Sequence, residues 1–278
     1  MTMPELPEVQ RAADSLAAQV CGATIAGLHA LDWPRALDGA APDWFARHVG
    51  DRTIQAVGRR AKWIVATLDG GWWLAIHLRM SGRVSVVPAA TAAGRHTRWQ
   101  LRLADGRLIQ FDDPRKFGRL RLLDAAGLAA LDAAHGIEPL TPAFTAAALR
   151  ELLAARSRAI KPLLLDQRLI AGVGNIYADE ALWRAAIHPQ QRADRLDAPA
   201  WLRLHGALVA VLRAGIAHGG STLRDYRDAY GQPGAHQHEF RAYGRAGAPC
   251  ERCATPIVRI VVAQRGTHLC PRCQPCPA

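Results

Sequence analysis

Two Cys-x2-Cys knuckles near the C-terminus limit what this chain can fold into more than any other feature. Cys250 and Cys253 are followed, after sixteen intervening residues, by Cys270 and Cys273. Four thiolates at this spacing can surround one tetrahedral Zn²⁺ and so stabilise a segment too short to bury a core of its own. A four-cysteine set leaves no open coordination position, so the expected Zn²⁺ is single and structural. Residues 257–262 and 267–269 read as strands on either side of Gln264-Arg265-Gly266, which predicts a β-hairpin with an arginine at its tip. Cys21 and Cys276 stand apart from the spacing.

Charge narrows the partner. The 278 residues hold 35 Lys and Arg against 24 Asp and Glu, a formal net charge of +11. Such an excess points first to a polyanion, because basic groups displace the counterions of phosphates. From residue 241 onward there are six arginines and one glutamate, so the zinc module shares in the excess. No apolar run approaches the roughly 20 residues that cross a bilayer. The first eight residues carry neither positive charge nor a greasy stretch, as a secretory signal would. A soluble, cytoplasmic protein is therefore expected, with no membrane partner, in a compartment where paired cysteines bind metal rather than form disulfides.

The pattern along the chain predicts an α+β fold. Val9, Ala12, Leu16 and Val20 share one helical face over residues 8–20, and Gly22 is a stop signal. Residues 23–123 read as strands. Asp69-Gly70-Gly71 separates two apolar runs, and Asp105-Gly106 separates Trp99-Leu101-Leu103 from 108–111. Two hairpins with flanking strands imply an antiparallel β-sandwich. Helices are expected after Thr145 and over 162–168, 176–185 and 199–217. The Ala- and Gly-rich stretch 125–136, followed by Pro139 and Pro142, marks a boundary. Three parts are expected: 1–136, the sandwich, to which the resemblance below assigns catalysis; 137–235, a helical part; and 236–278, the zinc hairpin.

Six motifs then fall in order. They are Pro4-Glu5-Leu6-Pro7-Glu8, Arg59-Arg60-Ala61-Lys62, His77-Leu78-Arg79-Met80-Ser81-Gly82, Asp113-Pro114-Arg115-Lys116-Phe117-Gly118, Gly172-Val173-Gly174-Asn175-Ile176-Tyr177, and the cysteine hairpin with Arg265. In this order the chain resembles the bacterial formamidopyrimidine-DNA glycosylases from Pro4 to Gln274. The resemblance makes the helical part a helix–two-turns–helix domain. Gly172-Val173-Gly174 is then its turn and not a dinucleotide fingerprint, whose third glycine is missing.

The resemblance implies an activity and a set of roles. The chain would excise oxidised purines from duplex DNA and nick the strand, as a monomer that reaches the nucleoid when bound to DNA. Pro4, as N-terminal secondary amine, would attack the sugar, and Glu5 would serve as general acid and base, with Glu8 as a supporting carboxylate. Lys62 and Arg265 complete the catalytic set through the phosphates at the lesion. His77, His96, Lys161 and Asn175 would contact DNA, and Met80, Arg115 and Phe117 would fill the space left by the extruded base. The glycine-rich segment 219–234 would close over that base. Asp113 reads equally as a turn carboxylate or as an active-site neighbour. Pro-Glu-Leu-Pro-Glu, rather than Pro-Glu-Gly-Pro-Glu, favours this branch over sister glycosylases for oxidised pyrimidines. One departure bears on the chemistry: family members begin Met-Pro, whereas Thr2 and Met3 stand between Met1 and Pro4. Translation from Met3 is expected, since removal of that methionine alone frees the Pro4 nitrogen.

Overall fold

The computed structural model describes residues 3–276. The chain divides into two compact units, and each is described by itself. The first runs through Ala133 and takes in His218–Ala235; the second comprises Ala134–Ala217 and the chain from His236 onward.

In the first unit the elements run α1 (Leu6–Val20), β1 (Thr24–Leu31), α2 (Pro42–Val49), β2 (Arg52–Arg60), β3 (Trp63–Leu68), β4 (Trp72–His77), β5 (Arg83–Pro88), β6 (Thr97–Leu103), β7 (Arg107–Asp112), β8 (Arg119–Leu123) and α3 (Ala125–Ala133). All strand pairs are antiparallel, in the order β5-β7-β6-β1-β2-β3-β4-β8. β1 and β2 pair only through Thr24↔Thr53 and Ile25↔Arg52, so two four-stranded halves meet at that narrow join. One core holds side chains from both halves, among them Trp99, Leu101 and Phe111 from one and Ile64, Leu74 and Leu120 from the other. The apolar stripe of α1, with Val9, Ala12, Leu16 and Val20, packs into the same core. This is the expected sandwich.

Two helices of this unit escaped the sequence reading. α2 lies within the stretch read as strands; its signals are Pro42 in the first turn and the i,i+4 pair Phe45 and Val49, both buried. α3 falls on the Ala-rich boundary and buries only Leu131, so its sequence has no face to read. The glycine-rich segment is a further difference. Residues 218–235 pack in the first unit and not with the helices that precede them. The cause is α1: Glu8, Arg11 and Ser15, spaced along one side, bond to Ser221, Asp228 and Ala229 respectively.

The second unit holds α4 (Ala146–Leu153), α5 (Ile160–Leu165), α6 (Asn175–Ala185), α7 (Ala198–Ala217), β9 (Val258–Val262) and β10 (Arg265–Leu269). Thr145 caps α4, its hydroxyl accepting from the Ala148 N–H at 3.1 Å. α5 begins and ends earlier than the expected 162–168. The zinc hairpin clusters with the helices as one unit rather than standing as a third part. The expectation of no membrane-length apolar run also needs correction. α7 has twenty residues and a mean hydropathy of 1.3 in its most apolar window, by which measure it is long enough to cross a bilayer. Here Trp201, Leu204, Leu208 and Leu212 are buried, as in the core helix of a globular unit.

Phe111 decides how two loops of the first unit sit. Its ring stacks on Trp99 with centroids 5.1 Å apart. A Cβ added to Gly82 would lie 2.5 Å from Phe111 Cζ and 2.4 Å from the Leu78 carbonyl oxygen, and one added to Gly118 would lie 2.3 Å from the same ring atom. Both loops therefore rest directly on this ring. Gly82→Ala should lower stability by about 1–3 kcal/mol through overpacking. Gly58→Ala, where a Cβ meets nothing within 4 Å, should change it by less than about 0.5 kcal/mol. Urea unfolding of the two variants checks the contrast.

Candidate nucleic-acid interface and metal centre

The N-terminal group is built around a helix start. Pro4, Glu5 and Glu8 are all buried. Glu5 is the N-cap of α1 in an extended conformation, with a proline in the first turn. Glu8 accepts from the Glu5 N–H at 2.9 Å with one carboxylate oxygen and from the Ser221 N–H at 2.7 Å with the other. Gly220 has φ +82° and comes so close that a Cβ there would lie 2.9 Å from Glu8 Cγ. The Tyr226 hydroxyl donates to the Glu8 carbonyl at 3.0 Å. Burial, and then the Glu8 carboxylate, push the Tyr226 phenol far above its ordinary pKa, so it remains a donor. Further along, Asp228 accepts from Arg11 and from the N–H groups of Tyr230 and Gln232. One carboxylate thus joins the residue after Pro4 to the loop expected to close over a base.

Lys62 follows Ala61 in the β2–β3 turn, where Ala61 takes φ +52°, and the lysine is buried. His77 ends β4 and is the cross-strand partner of both Trp63 and Arg119. Its Nδ1 accepts from the Arg79 N–H at 3.0 Å, which makes Nε2 the protonated nitrogen of the neutral ring. Met80, Arg115 and Phe117 come together. The Arg115 guanidinium donates to Met80 Sδ at 3.3 Å and lies 4.9 Å from the centre of the Phe117 ring. Phe117 is 43% exposed, unusual for a large apolar residue and suited to insertion between bases. His96 is exposed, and its carbonyl accepts from the Asp113 N–H. Asp113 is fully buried and organises its loop. Its oxygens take the N–H groups of Arg115, Phe117 and Gly118.

In the second unit, α5 and α6 flank two turns. Gln167 organises them: its side chain accepts from the Gly172 N–H and donates to the carbonyls of Leu165 and Val173. Asn175 opens α6 and donates to the Gly266 carbonyl at 2.9 Å. Lys161 requires a correction. It is completely buried, and its ammonium bonds Asp179 at 2.5 Å, Thr267 Oγ1 at 2.7 Å and the Gly266 carbonyl at 3.3 Å. With three donors directed at protein acceptors, it holds the hairpin rather than a phosphate. Asp179 also accepts from the His268 N–H at 2.9 Å. These contacts fix the strand that starts at Arg265, which is exposed. The hairpin turn is Ala263-Gln264, both at positive φ, so Arg265 begins β10 instead of lying within the turn. Glu180, next to Asp179, takes the N–H groups of Arg241, Ala242 and Tyr243. Burial pushes its carboxyl pKa up, against the pull of those three donors.

The four expected ligands converge. The sulfurs of Cys250, Cys253, Cys270 and Cys273 all lie within 4.8 Å of one another, with separations of 4.0, 3.4 and 3.5 Å for 250–273, 253–270 and 253–273. Four sulfurs bound to a tetrahedral zinc at about 2.3 Å lie about 3.8 Å apart, so the set fits Zn²⁺. Arg252 joins this knuckle to α6, with its guanidinium 4.0 Å from the centre of the Trp183 ring and bonded to the Trp183 and Arg184 carbonyls. Sequence reasoning missed Gln167, Asp179, Glu180 and Arg252. The two acids are consecutive in α6 and so share no helix face that could have marked them.

Comparison with known proteins covers nearly the whole chain. Residues 3–120 match a formamidopyrimidine-DNA glycosylase N-terminal domain, 135–227 the H2TH domain of the same glycosylases, and 247–275 a zinc finger found in FPG and IleRS. The formamidopyrimidine-DNA glycosylase of Roseiflexus sp. (strain RS-1) is 59% identical over 272 residues, covering 98% of this chain and 100% of the relative. A crystal structure of a Lactococcus lactis FPG mutant with Fapy-dG-containing DNA superposes with a TM-score of 0.91 at 35% identity, over 98% of this chain and 100% of that one. MutM in complex with carbocyclic 8-oxo-G-containing DNA gives 0.90 at 35% identity, over the same shares.

Two outcomes follow from this geometry. Lys161→Met leaves Asp179 without its cation and should destabilise the fold by about 3–5 kcal/mol, read by chemical denaturation. Metal analysis should find one zinc per chain. Chelation, or Cys253→Ser, should release it with loss of the cooperative melting of the second unit.

Proposed function

Because the chain belongs to the formamidopyrimidine-DNA glycosylase family, we propose that it excises 8-oxoguanine and formamidopyrimidines from duplex DNA and then cleaves the strand. The Pro4 nitrogen attacks C1′ of the damaged nucleotide while the base–sugar bond breaks and the base leaves. An α-amino group has a pKa of about 8, so part of it is neutral and nucleophilic at physiological pH. Opening of the sugar ring converts the adduct to an iminium, and Glu5 protonates the ring oxygen as it becomes a hydroxyl. The iminium draws electrons, Glu5 then acts as base, and both phosphates leave in successive β- and δ-eliminations. Water releases Pro4.

The observation that supports this reading best is the burial of Glu5 directly beside Pro4, with its N–H held by Glu8 and Glu8 in turn holding Ser221. A dry carboxyl next to the nucleophile suits proton transfer, and the 219–234 segment is tied to the same place. Lys62, His77, Asn175 and Arg265 are the proposed phosphate contacts, with His96 as a further one. Met80, Arg115 and Phe117 fill the vacated stack, and Arg115 pairs with the orphaned cytosine. Lys161 belongs to the hairpin's support. Zinc, held by the four cysteines, supplies structure and no open site for chemistry. Action on the nucleoid follows from the substrate.

Borohydride trapping tests the chemistry. A protein begun at Met3 and processed to Pro4 should form a covalent adduct with a duplex bearing 8-oxoguanine opposite cytosine. A protein that retains Met1-Thr2-Met3 should bind the duplex and form none. Glu5→Gln should lower excision by about a hundredfold or more. Absence of adduct from the Pro4-initiated protein would refute the Schiff-base route.

A further inference from the structure

Met80 lies in one loop of the first unit and Arg115 with Phe117 in another, yet Arg115 touches both of the others. Something must set the two loops relative to each other. The Asp113 carboxylate does so. Its Oδ1 accepts from the Ser81 hydroxyl at 2.5 Å, which belongs to the Met80 loop. The same oxygen takes the Arg115 N–H at 3.1 Å, and Oδ2 takes the Phe117 and Gly118 N–H groups, each at 2.7 Å. The Asp113 backbone is held as well. Arg98 donates to the Asp113 carbonyl at 2.8 Å and is paired with Asp32 at 2.6 Å.

We infer that Asp113 and Ser81 are positioning residues that lock Met80, Arg115 and Phe117 into one preformed wedge, so that the stack is opened by a single rigid body. This rests on the wedge role proposed above. The reasoning is physical. Arg115 and Phe117 flank Lys116, which sits at φ +60°, a conformation that costs a non-glycine residue energy and must be imposed by its surroundings. Three N–H groups directed at one buried carboxylate impose it. Phe111 lies under both loops at Gly82 and Gly118, so it sets their height but forms no directional bond between them. The Ser81–Asp113 bond supplies the direction. It is charge-assisted and buried on the Asp113 side, where water cannot replace it.

Ser81→Ala removes that link and leaves the three N–H bonds intact; Asp113→Asn weakens all of them. Each variant is compared with the Pro4-initiated parent in two assays. One is single-turnover excision of 8-oxoguanine from duplex, with 2-aminopurine beside the lesion to report unstacking. The other is borohydride trapping on a single-stranded abasic oligonucleotide, which has no stack to open. Ser81→Ala should slow both unstacking and duplex excision by about tenfold, the value of one hydrogen bond to a charged group. Single-strand trapping should stay within about twofold of the parent, and Ser81→Thr should restore the duplex rate. In a Phe117→Ala background Ser81→Ala should add little, because the two act through the same wedge. The inference is overturned if Ser81→Ala matches the parent on duplex, or if it depresses both assays equally, as a general loss of structure would. Failure of the parent itself on both substrates would instead refute the proposed function.

Discussion

A buried carboxylate that accepts backbone N–H groups is the interaction on which the functional parts of this protein depend. Glu8 holds the amides of Glu5 and Ser221, and Asp113 those of Arg115, Phe117 and Gly118. Asp228 holds Tyr230 and Gln232, Asp179 holds His268, and Glu180 holds Arg241, Ala242 and Tyr243. All five are nearly or fully buried. Burying an ionised carboxylate without partners would cost several kcal/mol, so each depends on its donors: amides for Glu8, Asp113 and Glu180, and amides together with Arg11 or Lys161 for Asp228 and Asp179. The dependence runs both ways: except for His268 on the outer edge of β10, the loops have no sheet or helix to occupy these amides, and the carboxylates are closed off from water.

This arrangement separates backbone from side chain. Phe117 and Arg265 are exposed, while the chain beneath them is bonded to buried groups. In the proposed roles, meeting phosphates and separating stacked bases, such groups gain when they are aimed before DNA arrives, since less ordering entropy is lost on binding. The hairpin that carries Arg265 shows what such aiming requires. Its two-residue turn puts Ala263 and Gln264 at positive φ, at about 1–2 kcal/mol each. The docking of Gly266, Thr267 and His268 onto Lys161, Asn175 and Asp179 holds that shape in place.

What the sequence reveals and what it hides divide along the same line. The zinc ligands were legible because they come in two short pairs whose spacing already encodes a tetrahedron. The start of α4 was legible because Thr145 caps it through a residue three positions on. Met80, Arg115 and Phe117 could be grouped only through resemblance, since Met80 and Phe117 alone read as core; the structure puts Arg115 against both. Long-range partners were not legible. The 218–235 segment follows α7 in sequence, yet it packs with α1 because Ser221 bonds Glu8, 213 positions earlier. Lys161 looks like a surface cation in a basic protein. Its burial is set by Asp179, 18 residues on, and by Thr267, 106 residues on. No local pattern carries that information. α3 escaped for a different reason: its alanine-rich stretch has almost no polar face against which periodicity could register.

Amide hydrogen exchange of the DNA-free protein, resolved by residue, tests the central claim most directly. If buried carboxylates fix the functional loops, the amides of Phe117, Gly118, Ser221, Ala242 and His268 should exchange as slowly as amides inside the strands β3 and β4. The exposed residues Ala92, Ala93 and Arg95 in the β5–β6 loop should exchange fast. If those five amides exchange at the rate of that loop, the carboxylates do not hold them in solution, and the functional groups are not aimed before DNA binds.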